Sequence, residues 1–387
     1  MFYGGCNNLN KFENYYAEKH EFKNLELTLA RIDDAVNESG FTQSTLGKII
    51  HIAGTNGKGS TSYFLYQMLQ SSGYKTALFT SPHILKINER IVFNNNEISD
   101  DDMDMIFENH KDIIIKYNLS YFEAVFFIAL IYFAQNNPDY TILETGLGGR
   151  YDATNTSLIN DKLCVITSMG YDHAAYLGNN IYSIINEKLG IVRENSNIIL
   201  AYNKPYVYNY IKSRVNNSID FIDKSESENS SYPYPYSENF STANRIYKTL
   251  LNKEFNKNIL LQLPPCRMEQ SGRIVLDGSH NMQGILKIRN TWKKYNFDAI
   301  LTTVTNDRDI KNTVEILKTI SNNIVVTTLP ENIRSIDSFN DDSVKFISSP
   351  LEAFDFILKE YKSNILVTGS FYLCAIIKEY IKRCSNV

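Results

Sequence analysis

The stretch Ile49–Leu69, IIHIAGTNGKGSTSYFLYQML, decides how the rest of the chain is read. It opens as an apolar strand and closes with helical spacing, and between the two lie Gly54, Gly57 and Gly59 around Lys58. A strand–loop–helix unit of this kind cradles phosphate. Its glycines let the backbone approach the oxygens, and the helix start presents N–H groups and the positive end of its dipole. Lys58 adds charge at the outer phosphates, and Ser60 supplies a hydroxyl for a phosphate or a metal. In the common P-loop the hydroxyl residue follows the lysine directly, whereas here Gly59 intervenes. The bland alternative is a glycine-rich turn that only caps a helix; the order strand, G-x-x-G-K-G-S, helix argues against it.

Outward from this unit, the runs KIIHIAG, YKTALFTS, YTILETG, LCVITSM and NIILAYN are apolar without strict alternation, as strands covered on both faces are. Helical patterns such as SYFLYQMLQSS, DDDMDMIFENHKDIIIKY and IYSIINEKLGIV separate them, which predicts βαβ units and a parallel sheet. The longest apolar run, AVFFIALIYFA, is too short for a bilayer and reads as a buried helix. The polar, proline-containing stretch at about 223–238 is expected to be a mobile loop, with a helix resuming at NFSTANRIYKTLLNK. LQLPPCRME is the better boundary, since Pro264 and Pro265 forbid helix continuation just before a second β/α series. The expected organisation is a P-loop parallel-sheet domain over residues 1–263 and a smaller Rossmann-like α/β domain over 264–387.

Composition narrows the class of function. A hydrophobic fraction of 43% and a charged fraction of 21% are those of a globular protein, and a net charge of −4 offers no basic field for nucleic acid. The five cysteines are scattered without a C-x-x-C pair, so neither a disulfide framework nor a zinc site is suggested. The N-terminus shows no basic-then-apolar leader, and a cytoplasmic location without membrane attachment is expected.

Polar residues then gather at strand ends, where open α/β sheets bind ligands. Glu144 ends YTILE and suits Mg²⁺, which takes oxygen donors; the alternative is a carboxylate that caps the next turn. Asp172 and His173 follow LCVITSM, and Ser81, His83 and Arg90 follow YKTALFT. Lys188 lies in NEKLGIV, where a solvated lysine is the default reading.

HIAGTNGKGST, TSPHILKINERI, LETGLGGRYDATN, TSMGYDHAAYLG, EKLGI and LDGSHN occur in this order. Six ordered motifs are more specific than any one of them, and together they resemble the folylpolyglutamate synthase and dihydrofolate synthase family of the Mur ligase superfamily, whose P-loop carries the extra glycine. The resemblance implies the two-domain Mur ligase architecture and an ATP-dependent amide ligase, usually a monomer. It implies that Thr55, Asn56, Gly57, Lys58, Gly59, Ser60, Asn239, Arg267 and Asp277 serve ATP. It further implies that Ser81, Glu144 and His173 hold Mg²⁺, with two ions in all, and that Lys188 carries a carbamate. CO₂ adds to an uncharged amine, so burial would favour that modification.

In the same resemblance His280 positions the amine or the phosphoryl group, while Phe122 and Asp152 face the folate substrate. Phe122 is equally well explained as core. NLELTLARI, with Glu26, is similar to a segment of members that use dihydropteroate, which implies a bifunctional enzyme; either single activity is the nearest alternative. The chain departs from the family at Cys266 for glycine, Ser279 for alanine, Ala174 for a hydroxyl residue, Leu189 for alanine and Arg308 for lysine. A UDP-sugar ligase of the same superfamily and a P-loop kinase or switch remain the rival readings.

Overall fold

The structure, a computed structural model, describes residues 10–17, 28–171, 180–227, 230–256, 258–305, 309–330 and 335–385. The chain divides into two compact units, one of residues 1–232 and 236–262, the other of 233–235 and 263–387.

In the first unit the strands are β1 (Lys48–Ala53), β2 (Thr76–Phe79), β3 (Ile91–Phe93), β4 (Asn96–Glu97), β5 (Tyr140–Glu144), β6 (Leu163–Ile166), β7 (Ile198–Leu200) and β8 (Ile219–Phe221). They form one sheet in the order β4-β3-β2-β5-β1-β6-β7-β8, parallel except where β3 runs against β2 and β4. The five apolar runs read from the sequence are its five central strands, β2, β5, β1, β6 and β7. β2 and β5 are buried throughout, which is why they lack alternation. β3, β4 and β8 are two or three residues long, too short for any period to show.

The helices of this unit are α1 (Lys11–Tyr16), α2 (Ala30–Glu38), α3 (Lys58–Ser71), α4 (Asp100–Lys116), α5 (Tyr121–Asn136), α6 (Ile181–Leu189), α7 (Pro205–Arg214), α8 (Lys224–Ser227) and α9 (Tyr236–Leu251). α5 contains the run AVFFIALIYFA and is buried nearly all round. Its first turn is fixed by a reciprocal cap between Ser120 and Glu123. Among the described residues no helix is long and apolar enough to cross a membrane.

Within the stretch expected to be a loop, α8 forms a single turn and α9 starts at Tyr236, three residues before the expected helix. Tyr232 explains the order here. Its ring lies 4.8 Å from Phe64 and 5.0 Å from Phe240, its hydroxyl donates to Leu261 O at 2.8 Å, and Phe240 meets Phe64 edge-on at 5.6 Å. Each buried ring contributes roughly 1.5–3 kcal/mol. The cluster docks α9 on α3.

The second unit has β9 (Glu269–Ser271), β10 (Ile274–Asp277), β11 (Ala299–Thr302), β12 (Ile324–Val326), β13 (Lys345–Phe346) and β14 (Ile365–Thr368), in the order β13-β12-β11-β14-β10-β9. Among these strands β9 alone runs antiparallel to its neighbour, and its polar sequence, EQS, hid it from the sequence reading. Helices α10 (Met282–Lys293), α11 (Ile310–Lys318), α12 (Pro350–Glu360) and α13 (Phe371–Ser385) complete the unit.

Candidate phosphate and acceptor site

β1 lies between β5 and β6, so the loop after it sits where the chain order reverses across the sheet. Gly54 is needed there, because a Cβ would fall 1.8 Å from Thr167 Oγ1. The loop is tied to the residues following β6. Thr55 N and Asn56 N donate to Ser168 O at 2.9 and 3.3 Å. Thr55 Oγ1 donates to Gly170 O at 3.0 Å and accepts from Gly170 N at 3.1 Å. The Thr55 hydroxyl therefore holds the loop in shape.

Gly57 stands at the N-cap of α3 with φ +91°, and no side chain caps the helix. A Cβ on Gly57 would lie 2.3 Å from Asn239 Oδ1, so the docking of α9 presses the Asn239 amide onto the loop. Lys58, half-buried, donates from Nζ to Thr55 O at 3.4 Å, and Ser60 is buried in the first turn. Gly57→Ala meets both a left-handed backbone and the Asn239 side chain. It is expected to lower the unfolding free energy by about 1–2 kcal/mol and to weaken ATP binding, measurable by denaturant titration and nucleotide titration.

Gly59 has a different neighbour. A Cβ there would lie 3.3 Å from Glu144 Oε2 and 3.4 Å from Oε1, so the extra glycine lets a carboxylate sit against the first turn of α3. Glu144, 4% exposed at the end of β5, accepts from Ser81 N at 3.2 Å. Ser81 follows β2, on the far side of β5, in a loop folded by Glu89, whose carboxylate accepts from the N–H groups of Ile84, Leu85 and Lys86 at 2.6, 2.8 and 3.0 Å. In the same loop Arg90 donates to His83 Nδ1 at 3.0 Å, and burial, with Arg90 adding to it, holds the His83 imidazole well below its usual range. The structure thus brings Gly59, Glu144 and Ser81 together. His173, Asp172, Ala174, Glu26 and Arg308 lie outside the described residues.

Beyond Glu144 the chain turns through Gly146 to Asp152. Phe122, at the start of α5, meets this turn: a Cβ on Gly146 would be 2.6 Å from Phe122 Cζ and 3.2 Å from Asp152 Oδ2. Asp152 accepts from Leu147 N at 2.7 Å on Oδ2, and on Oδ1 from Thr154 N at 3.1 Å and Thr154 Oγ1 at 2.5 Å. Burial raises its carboxyl above the usual range, and these hydrogen bonds oppose the rise. Lys188, 4% exposed on α6, stands behind the same turn. A Cβ on Gly149 would lie 3.0 Å from Lys188 Cα, and Arg150 N donates to Glu187 O at 2.8 Å.

In the second unit Arg267, Asp277 and His280 gather near Phe371, a residue that the sequence reading did not single out. The Arg267 guanidinium lies 4.1 Å from the Phe371 ring centre and the His280 ring 5.3 Å from it. Asp277 is fully buried and accepts from Met268 N at 3.1 Å and Ser279 N at 3.0 Å. His280 Nδ1–H donates to Gly278 O at 2.9 Å, which makes Nε2 the basic nitrogen of the neutral ring. Cys266, in place of glycine, keeps a left-handed backbone at φ +54°.

Comparison with known proteins identifies the family. The Mur ligase middle domain matches residues 52–283. The dihydrofolate synthase/folylpolyglutamate synthase of Bacillus subtilis (strain 168) is 29% identical over 391 residues, covering 87% of this chain and 90% of that protein. Among solved structures, E. coli FolC in complex with DHPP and ADP is 25% identical with a TM-score of 0.85, over 97% of this chain and 98% of that one. The Yersinia pestis bifunctional folylpolyglutamate synthase/dihydrofolate synthase complexed with AMPPNP and Mn ion shares the fold at 22% identity and a TM-score of 0.79, over 95% and 97%. The P-loop with its extra glycine, the Glu144 strand end and a family match spanning more than half of the sequence lead to one conclusion: the chain belongs to the Mur ligase middle-domain family.

Proposed function

We propose that the chain is an ATP-dependent ligase that joins L-glutamate to dihydropteroate and to the γ-carboxylate of reduced folates. The observation that carries this reading is that Gly59, Glu144 and Ser81 meet at the ends of β1, β5 and β2, next to Lys58 in sequence, with Phe122 and Asp152 on the turn that follows Glu144. The B. subtilis relative, matched over most of both chains, bears both activities in its name.

The donors at this place suit a hard divalent cation. Glu144 offers a carboxylate and Ser81 a hydroxyl, and Gly59 keeps the space against the helix start clear of a side chain. Glu144, Ser81 and His173 would hold one Mg²⁺, and Lys188 as a carbamate a second. When bound, Mg²⁺ there offsets the negative charge of the phosphates. Lys58 and the N–H groups of the first turn of α3 hold the β- and γ-phosphates and stabilise the charge that develops during transfer. Thr55, Asn56, Gly57, Ser60 and Asn239 shape or line the nucleotide side, with Arg267 and Asp277 serving it in the same reading.

The acceptor carboxylate takes the γ-phosphoryl group, giving an acyl phosphate and ADP. The neutral amine of glutamate then adds to the acyl carbon, loses its proton, and phosphate leaves as the amide forms. His280 positions that amine. Phe122 packs on the acceptor's ring and Asp152 meets its polar edge.

Phosphate release measured with Mg²⁺-ATP is expected to require both L-glutamate and an acceptor, and to proceed with dihydropteroate and with tetrahydrofolate. Turnover of one acceptor alone would reduce the assignment to a single activity. Release indifferent to acceptor and glutamate would return the P-loop to a kinase or switch.

A further inference from the structure

Behind Asp152 lies a run of buried polar side chains that phosphoryl transfer and amide formation leave unused. His51, in the middle of β1, is 0% exposed, and Lys162, next to β6, is 4% exposed. Lys162 Nζ lies 3.0 Å from His51 Nδ1 and donates to Asn155 Oδ1 at 2.8 Å. His51 Nε2 lies 2.8 Å from Thr154 Oγ1, and Thr154 Oγ1 is the group that donates to Asp152 Oδ1.

The chemistry of the ends orders the middle. An ammonium only donates and a carboxylate only accepts. Lys162 therefore donates to His51 Nδ1, His51 Nε2–H to Thr154 Oγ1, and the Thr154 hydroxyl proton to Asp152. His51 is neutral in this arrangement, in keeping with the burial and the nearby Lys162 that hold its imidazole well below the usual range. Every hydrogen bond then points the same way, from cation to carboxylate. Burying a lysine against a neutral imidazole and an amide is costly, and an apolar side chain would fill the space at less cost. The charge needs a use, and Asp152 stands at the other end.

Asp152 is itself only 5% exposed. It accepts from Leu147 N on Oδ2 and from Thr154 N and Thr154 Oγ1 on Oδ1, the Gly146 N–H adds to them, and Oδ2 is the oxygen on the side of Gly146 and Phe122.

We propose that Lys162 is the buried counter-charge of Asp152, acting through His51 and Thr154 as positioning residues to keep that carboxylate ionised and aimed at the N–H donors of the acceptor's pterin edge. This rests on the reading that Asp152 lines the acceptor site. Burial lowers the Lys162 ammonium to about 7, so the counter-charge is present below neutrality and fades above it. The other titratable or charged groups facing this run are Cys164, Arg193 and His51, with Asp152 at its end. Burial holds the Cys164 thiol above its usual value and the His51 imidazole well below its own.

The test is KM for dihydropteroate and for ATP at pH 6.5 and pH 8.5 in the wild type and in Lys162→Met, Thr154→Val, Thr154→Ser and Asp152→Asn. At pH 6.5, Lys162→Met and Thr154→Val are expected to raise acceptor KM on the order of tenfold, with ATP KM and kcat within about twofold. The gap between wild type and Lys162→Met closes by pH 8.5, because the wild-type lysine has by then lost its proton. Thr154→Ser, which keeps the hydroxyl, restores the low KM. An acceptor KM that rises in Asp152→Asn but not in Lys162→Met or Thr154→Val, or a gap of equal size at both pH values, overturns the counter-charge while leaving Asp152 in place. No change in Asp152→Asn removes the acceptor reading itself.

Discussion

Lys58→Ala is expected to reduce ATP-dependent phosphate release by roughly a thousandfold while leaving the fold intact. The side chain is half-buried and its hydrogen bond is a long one to Thr55 O at 3.4 Å, so its removal changes stability by no more than about 0.5 kcal/mol. The transferring phosphoryl group and the acceptor carboxylate are both anionic. The lysine acts where charge accumulates, at the start of a helix whose dipole has the same sign, and a neutral methyl group leaves that repulsion uncompensated. Single-turnover acyl phosphate formation, followed beside a thermal melt, checks both halves. Normal turnover in a folded Lys58→Ala protein would falsify the P-loop assignment.

Glu144→Gln should be nearly as damaging by another route. The replacement has the same shape, and its amide oxygen can still accept from Ser81 N, now 3.2 Å from Oε2, so the loop after β2 should keep its form. What disappears is a full negative charge at a place with hard oxygen donors. Activity at low millimolar Mg²⁺ is expected to fall on the order of a hundredfold or more, with partial recovery as Mg²⁺ is raised. A fall that extra Mg²⁺ does not relieve would point to a structural role for the carboxylate.

The legible part of the fold was the part with long uniform signals. β1, β2, β5, β6 and β7 are mainly apolar runs, the first four followed at once by glycine or threonine, and polar candidates stand at those ends. Glu144 and Ser81 could therefore be singled out before any contact was known. Their meeting with Gly59 could not, because it depends on β5 lying between β1 and β2, an order set by crossovers and not by local pattern.

Other parts carried no local signal. The Tyr232 cluster was hidden inside a polar, proline-containing stretch because its partners, Phe64 and Phe240, sit on two different helices. His51 is one polar residue in an apolar strand and Lys162 a single lysine ahead of another, and the sequence reading singled out neither. Their contact spans 111 residues of sequence, a separation at which period and propensity say nothing. Phe371 was passed over for the same reason: only the folded second unit sets it beside Arg267, Gly278 and His280.

β1 carries one further consequence. Its last residue, Ala53, hands the chain to the glycine-rich loop, while His51, two residues earlier on the same strand, is held to Thr154 and Lys162 next to Asp152. The two sites proposed for nucleotide and acceptor are thus threaded on six residues in a single register. A deletion or insertion of one residue in β1 would turn His51 to the opposite face of the sheet and move the loop with it. Variation that retunes one substrate without the other can enter through the loops after β2 and β5 or the start of α5, where change leaves β1 in register.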